Sequence, residues 1–308
     1  MANQLKHFFF LFLFGCAALA EGSPWILNRE LLEQKLPFEV ATEDVTRALE
    51  GPPLIGLMGA MHEEIAHLKP LMDVAQIQVI GGREYIRGKL FGIDTVLVFS
   101  RWGKVAAAAT AATLIAEYQV DQIIFTGVAG ATAKHLNIGD VVIATHLYQH
   151  DMDASPLFAK LEVPFLSLKF FGVDPFFLKT ATKAAHSFFE NQLPLTLKKS
   201  TLDAFSIQNP CVYQGIIASG DRFISDLATM ESLLQEVPNT LAVEMEGASV
   251  AQVCFEHEIP FAIIRIISDR ADHTAAIDFQ KFVSEIAMHY SAGIIQELYS
   301  LMAERSCR

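Results

Sequence analysis

The chain has 308 residues, of which 52% are hydrophobic and 19% charged, and it carries a net charge of −12 at neutral pH. That length and apolar content are enough to bury a substantial core. The acidic balance, with no Lys/Arg cluster longer than Lys198-Lys199, argues against nucleic acid as a partner.

Residues 1–20 read as a leader: Lys6 precedes the apolar run Phe8 to Phe14, and Ala18-Leu19-Ala20 supplies small residues for cleavage before Glu21. The run is too short to span a membrane, so the chain is expected to be exported, periplasmic or secreted, with no stable span. Leu13-Phe14-Gly15-Cys16 is a loose lipobox and offers a lipid anchor at Cys16 as the alternative. Residues 21–53 form an N-terminal extension closed by Pro52-Pro53, residues 54–303 the globular domain and residues 304–308 a tail.

Within the domain, β-type apolar runs recur at Leu54 to Met58, Thr95 to Ser100, Gln122 to Thr126, Val141 to Ala144, Gly215 to Ala218, Leu241 to Val243 and Phe261 to Ile267. Helical patterns lie between several of them, clearest at Lys104 to Tyr118, Leu178 to Phe189 and Gly247 to His257. Runs apolar on both faces that alternate with helices predict an α/β fold: a single domain with a mixed, buried β-sheet flanked by helices. Cys211 and Cys254 fall in apolar runs and read as core, and with Cys307 they show neither metal-ligand spacing nor a disulfide framework.

Functional sites in such folds gather at the carboxyl ends of strands, where the unusual residues of this chain lie. Glu63 and Glu64 follow the first run, and a pocket that desolvates one of them makes it a general base. Thr126-Gly127-Val128-Ala129-Gly130 reads as a turn that lets backbone N–H groups approach a ligand, although such glycines more often only punctuate loops. Neither a P-loop nor a dinucleotide fingerprint is present, and no cofactor or metal is expected. Glu246, at a strand-to-helix junction, faces free amides and a helix dipole that favour its ionised form and suit it to hydroxyl groups such as a ribose diol. Asp269 ends a buried run and is suited to act as an acid. A base, a diol-binding carboxylate and an acid fit cleavage of a glycosidic bond to a nitrogen base.

Six ordered segments carry a resemblance: Ile55 to Glu64, Gly103 to Ala108, Thr126 to Gly130, Ser219 to Ile224, Val243 to Glu246 and Ile267 to Asp269. Over residues 55–298 the chain resembles the 5′-methylthioadenosine/S-adenosylhomocysteine nucleosidases, within the purine nucleoside phosphorylase-like superfamily. The resemblance implies hydrolysis of 5′-thioether adenine nucleosides to adenine and a thioribose. Glu64 would activate water at the anomeric carbon, and Asp269, held by Ser268, would protonate the purine N7. It further implies Met245 and Glu246 on the ribose hydroxyls, Phe223 and Ile224 on adenine, and Val128, Ala129 and Gly130 lining the substrate. Met61 and Phe279 would line the 5′ pocket, Arg265 would lie near the ribose and water, and a homodimer would complete each pocket with a partner residue. Ser100-Arg101-Trp102-Gly103 departs from the common Ser-Gly-Ile-Gly, so that either Arg101 offers an anion site and Trp102 reshapes the 5′ pocket, or both serve only to pack the loop. The alternatives are a phosphate-dependent phosphorylase, an aminodeoxyfutalosine nucleosidase, and a catalytically silent nucleoside-binding protein.

Overall fold

A computed structural model describes residues 53–272 and 275–306. The leader with Cys16, the extension up to residue 52, and Cys307 with the last residue of the tail lie outside the described residues.

The strands are β1 (Ile55–Gly59), β2 (Met72–Ile80), β3 (Arg83–Leu90), β4 (Ile93–Phe99), β5 (Gln122–Ala131), β6 (Val141–Gln149), β7 (Phe171–Gly172), β8 (Val212–Ser219), β9 (Thr240–Glu244) and β10 (Phe261–Asp269). They form one mixed sheet in the order β10-β6-β8-β9-β5-β1-β4-β3-β2, with β7 on β6, and β10 also pairs with β5. That last pairing closes β5, β10, β6, β8 and β9 into a ring. β1, β4, β3 and β2 continue from β5 as an open wing.

β5 makes both arrangements possible because it is longer than the sequence suggests. Thr126 to Gly130 is not a turn: the strand runs straight through it to Ala131, buried almost throughout. One edge of β5 pairs with β10 along nearly its whole length. The other edge pairs with β1 only as far as Thr126 and with β9 only from Gly130, and so changes partner across Gly127, Val128 and Ala129.

Seven helices matter for the site: α1 (His62–Ile65), α2 (Lys104–Tyr118), α3 (Pro175–Ser187), α4 (Leu227–Glu236), α5 (Gly247–Glu256), α6 (Ala275–Phe282) and α7 (Met288–Ser306). Because strand side chains alternate, Ile55 and Leu57 join a core under α3 and α7, whereas Met58, Val96 and Val98 join one under α2 and α5. The alanines of α2 at 107 and 111 let it approach Ala248 and Ala251 of α5. Asp174 starts α3 by accepting from the Phe176 and Phe177 amides, with Pro175 at the first helical position. Cys254 is buried as expected, but Cys211 is exposed: it heads β8 at the end of the sheet, where Asp140 Oδ1 accepts its amide at 2.8 Å.

Helices α3 and α7 meet where the Phe188 ring packs on Gly293, and a Cβ on that glycine would stand 2.2 Å from the ring. In an ordinary helix, Gly→Ala stabilises by about 1 kcal/mol. Here the sign reverses. Gly293→Ala is expected to destabilise by about 1–3 kcal/mol through overpacking, read as a lower urea midpoint with unchanged slope, and Phe188→Leu in the same chain should recover part of the loss.

Candidate active site

The gap in the pairing of β5 is where the first acid sits. β1 ends at Gly59, and α1 turns the chain so that Glu64 points back at the strand end, only 2% exposed. Its Oε2 accepts the amides of Ala60 and Met61 at 2.5 and 3.0 Å, and its Oε1 accepts the Val128 amide, left without a strand partner, at 3.1 Å. Glu63, its neighbour, is exposed, which settles which of the two acids is buried at this strand end. A Cβ on Gly127 would stand 2.9 Å from Glu64 Oε1, so the glycine makes room for a carboxylate.

Asp269 is placed by a bulge. Ile267 pairs with Ala129 and Asp269 with Gly130, which leaves Ser268 as an extra residue that re-aims the strand end. Ser268 Oγ donates to Asp269 Oδ2 at 2.8 Å and the Ala271 amide donates to Oδ1 at 2.9 Å. Gly130 is the counterpart of Gly127, since a Cβ there would stand 2.8 Å from Asp269 Oδ1. Both glycines give space to side chains of this site rather than carrying amides toward a ligand.

The third group differs from the sequence-based expectation. Glu246 precedes α5, but it is Glu244 that accepts the helix-start amides, those of Glu246 and Gly247, while Ser219 Oγ accepts that of Ala248. Glu244 also accepts from Ser219 Oγ, and its Oε2 accepts both Arg265 Nε at 3.2 Å and Nη2 at 2.7 Å. Its amide acceptor role thus taken, Glu246 turns to the opposite wall, where its Oε1 accepts the Gly103 amide at 2.8 Å. Arg265 does not line the cavity. It lies behind it, paired with Glu244 and stacked on the Phe125 ring with 4.3 Å from guanidinium carbon to ring centroid.

Gly103 opens a wider network. The next amide, that of Lys104, donates to Asp221 Oδ1 at 2.8 Å, and the Lys104 ammonium lies 2.5 Å from Asp151, which accepts the Asp221 amide through its other oxygen. Asp221 opens the turn that carries Arg222, Phe223 and Ile224. One helix end thereby holds both the Glu246 wall and the Phe223 wall.

These walls enclose a cavity whose empty space, open mouth included, is about 540 Å³. Of the residues to which the resemblance gives a role, all but Arg265 line it: Met61, Glu64, Val128, Ala129, Gly130, Phe223, Ile224, Met245, Glu246, Ser268, Asp269 and Phe279. Ala60, Trp102, Arg222, Val243 and Glu244 line it as well. Arg101 does not, because its Nη2 donates to the Gly82 carbonyl at 2.7 Å, away from the cavity. Among the described residues no group of three or more His, Cys, Asp or Glu side chains is arranged to hold a metal ion.

Burial pushes the Glu64 carboxyl up to about 7, against the pull of Arg265 and of the three amides. Burial, and after it the neighbouring Glu244, raises Glu246 above the ordinary carboxylate range, opposed by Arg265 and the Gly103 amide. The site therefore combines a carboxyl that changes charge near neutrality, a second that gains by acquiring hydrogen-bond donors, and Asp269 in a cradle of two donors.

Residues 54–300 match the phosphorylase superfamily. A 5′-methylthioadenosine/S-adenosylhomocysteine nucleosidase of Bacillus thuringiensis subsp. konkukian is 34% identical over 248 residues, 80% of this chain and 99% of the relative. The same-named enzyme of Neisseria meningitidis, solved with methylthio-immucillin-A, is 34% identical with a TM-score of 0.70 over 80% of this chain and 98% of that one. Futalosine hydrolase of Helicobacter pylori is 30% identical with a TM-score of 0.68 over 80% and 97%.

Infrared difference titration of the protein is expected to show a carboxyl that is neutral below and ionised above a midpoint of about 7, absent from Glu64→Gln. A Glu64 band in the ordinary carboxylate range would mean that water reaches it.

Proposed function

The chain belongs to the 5′-methylthioadenosine/S-adenosylhomocysteine nucleosidase family of the phosphorylase superfamily, and we propose that its cavity hydrolyses the N-glycosidic bond of 5′-thioether adenine nucleosides, releasing adenine and a thioribose. One observation carries hydrolysis over phosphorolysis. The backbone amides of Ala60, Met61 and Val128, a ready cradle for an oxyanion, are filled by the Glu64 carboxylate. A second anion beside it would be repelled, and Arg265, the nearby guanidinium, is taken up by Glu244. Neutral water suffers no such repulsion.

In this reading Glu64, ionised above about 7, takes a proton from water as it attacks the anomeric carbon. Asp269 passes a proton to the purine as the bond to nitrogen breaks, and the Ser268 hydroxyl and Ala271 amide stabilise the carboxylate left behind. Glu246 accepts hydrogen bonds from the ribose hydroxyls, which offset the desolvation that raises its pKa. Positive charge gathers on the ribosyl group in the transition state, and the surrounding acids stabilise it more there than in the ground state. Met61 and Phe279 face the 5′ substituent, while Phe223 and Ile224 face adenine.

The expected outcome is adenine release from methylthioadenosine in phosphate-free buffer, rising as pH passes about 7. Asp269→Asn should lower kcat by about 10²- to 10⁴-fold with KM within a few-fold of the parent. A strict phosphate requirement would make the enzyme a phosphorylase, and full activity in the variant would remove Asp269 from the chemistry.

A homodimer is part of the proposal. Val105, Leu157 and Phe165 are 81, 71 and 71% exposed, apolar surface that a second copy would bury. Light scattering should return twice the chain mass. A monomer at micromolar concentration would count against it.

A further inference from the structure

The rim of the cavity beside Gly103 is aromatic. Trp102, Phe279 and Phe223 all line the cavity, and their rings meet edge to face in a row, 5.9 Å from Trp102 to Phe279 and 5.5 Å from Phe279 to Phe223. Because the amide of Gly103 holds Glu246, the indole one residue earlier stands at the ribose end of the cavity. Phe223 stands at the other end of the row.

The backbone that carries the indole is pinned on both sides. Arg101 has φ +73°, a conformation that residues with a Cβ rarely adopt, and its guanidinium donates to the Gly82 carbonyl in the β2–β3 turn. From the same turn Arg83 Nε donates to the Ser100 carbonyl at 3.0 Å. Two arginines thus staple residues 100 and 101 to the hairpin and set the position of Trp102, which is 53% exposed and so lies at the mouth.

The charges that line the cavity are unequal, the acids being buried inside it. Glu64, Glu244, Glu246 and Asp269 all line the cavity, whereas its one basic lining residue among the described residues, Arg222, immediately precedes Phe223 at the far end of the ring row. A 5′ methylthio group leaving the ribose meets ring edges, with favourable sulfur–aromatic contact. A longer chain ending in an ammonium and a carboxylate must desolvate both charged groups against the same rings.

We propose that Trp102 is a specificity-determining residue that makes this site favour adenine nucleosides with a short apolar 5′ thioether over those whose 5′ chain ends in a zwitterion. The proposal rests on the nucleosidase reading of the cavity and adds to it the choice of substrate.

The test is kcat/KM for methylthioadenosine and for S-adenosylhomocysteine, measured as adenine release by the full chain and by Trp102→Ala, Trp102→Phe and Arg101→Gly. The wild type is expected to prefer methylthioadenosine at least tenfold. Trp102→Ala should cut that preference at least tenfold, Trp102→Phe should keep most of it, and Arg101→Gly, which tolerates the positive φ but loses the staple, should fall between. A wild type without preference, a preference unchanged within twofold in Trp102→Ala, or equal losses on both substrates would overturn the proposal. Release of adenine from neither substrate by folded wild-type protein would instead remove the nucleosidase reading, and this inference with it.

Discussion

The site follows from one constraint on the backbone: β5 cannot satisfy all its amides with strands. One of its edges passes from β1 to β9, and the passage leaves the Val128 N–H facing neither strand. A buried amide without a partner costs about 1–3 kcal/mol, so something polar must enter the gap. Glu64 enters it, and the same two-residue turn after β1 brings the Ala60 and Met61 amides to the other carboxylate oxygen. Closure of the barrel by β10 then sets Asp269 opposite, in register with Gly130. The split sheet thus creates the cavity and places two of its acids at once.

Four carboxylates around one small volume would repel each other into a disordered site unless their environments differed. The Arg265–Glu244 pair, at 2.7 Å and almost wholly buried, removes one acid from the contest by giving it both a cation and the start of α5. Such a pair adds little net stability over apolar residues of the same size, but losing either partner would cost about 3–5 kcal/mol. Its value here lies in division of labour. With the helix start occupied by Glu244, Glu246 is free to face the cavity, and burial outweighs the pull of Arg265 on Glu64, which therefore changes charge near neutral pH.

Much of this was legible in the residues. Buried runs such as Phe261 to Ile267 and the periodic stretch Lys104 to Tyr118 show the strands and helices that carry the site, and helix α2 has the anticipated bounds. The acids stood out because carboxylates seldom end apolar runs. The hairpin of β2 and β3 went unread despite its Gly81-Gly82 turn: most of β2 is exposed, Val74, Ile77 and Val79 included, so its apolar residues do not mark a buried face. Thr126 to Gly130 looked like a turn because small residues signal turns locally; only the positions of Glu64 and Asp269 explain why a strand needs glycine there. Arg265 was placed too near the cavity for a related reason. Sequence puts it beside the site, but which carboxylate takes its guanidinium depends on side-chain directions across two strands.

The N-terminus of α2 carries a further consequence. Adjacent amides of Gly103 and Lys104 hold Glu246, on the proposed sugar side, and Asp221, which starts the turn on the proposed base side. Lys104 and Asp151 brace the same junction. On the proposed reading the sugar and base walls would thus rest on a single helix end, which ties the two halves of the cavity together. Base and sugar fragments would then not contribute independently to affinity: the cavity reads the intact nucleoside as one object, and cleavage, by cutting that object in two, also dissolves the cooperation that held it.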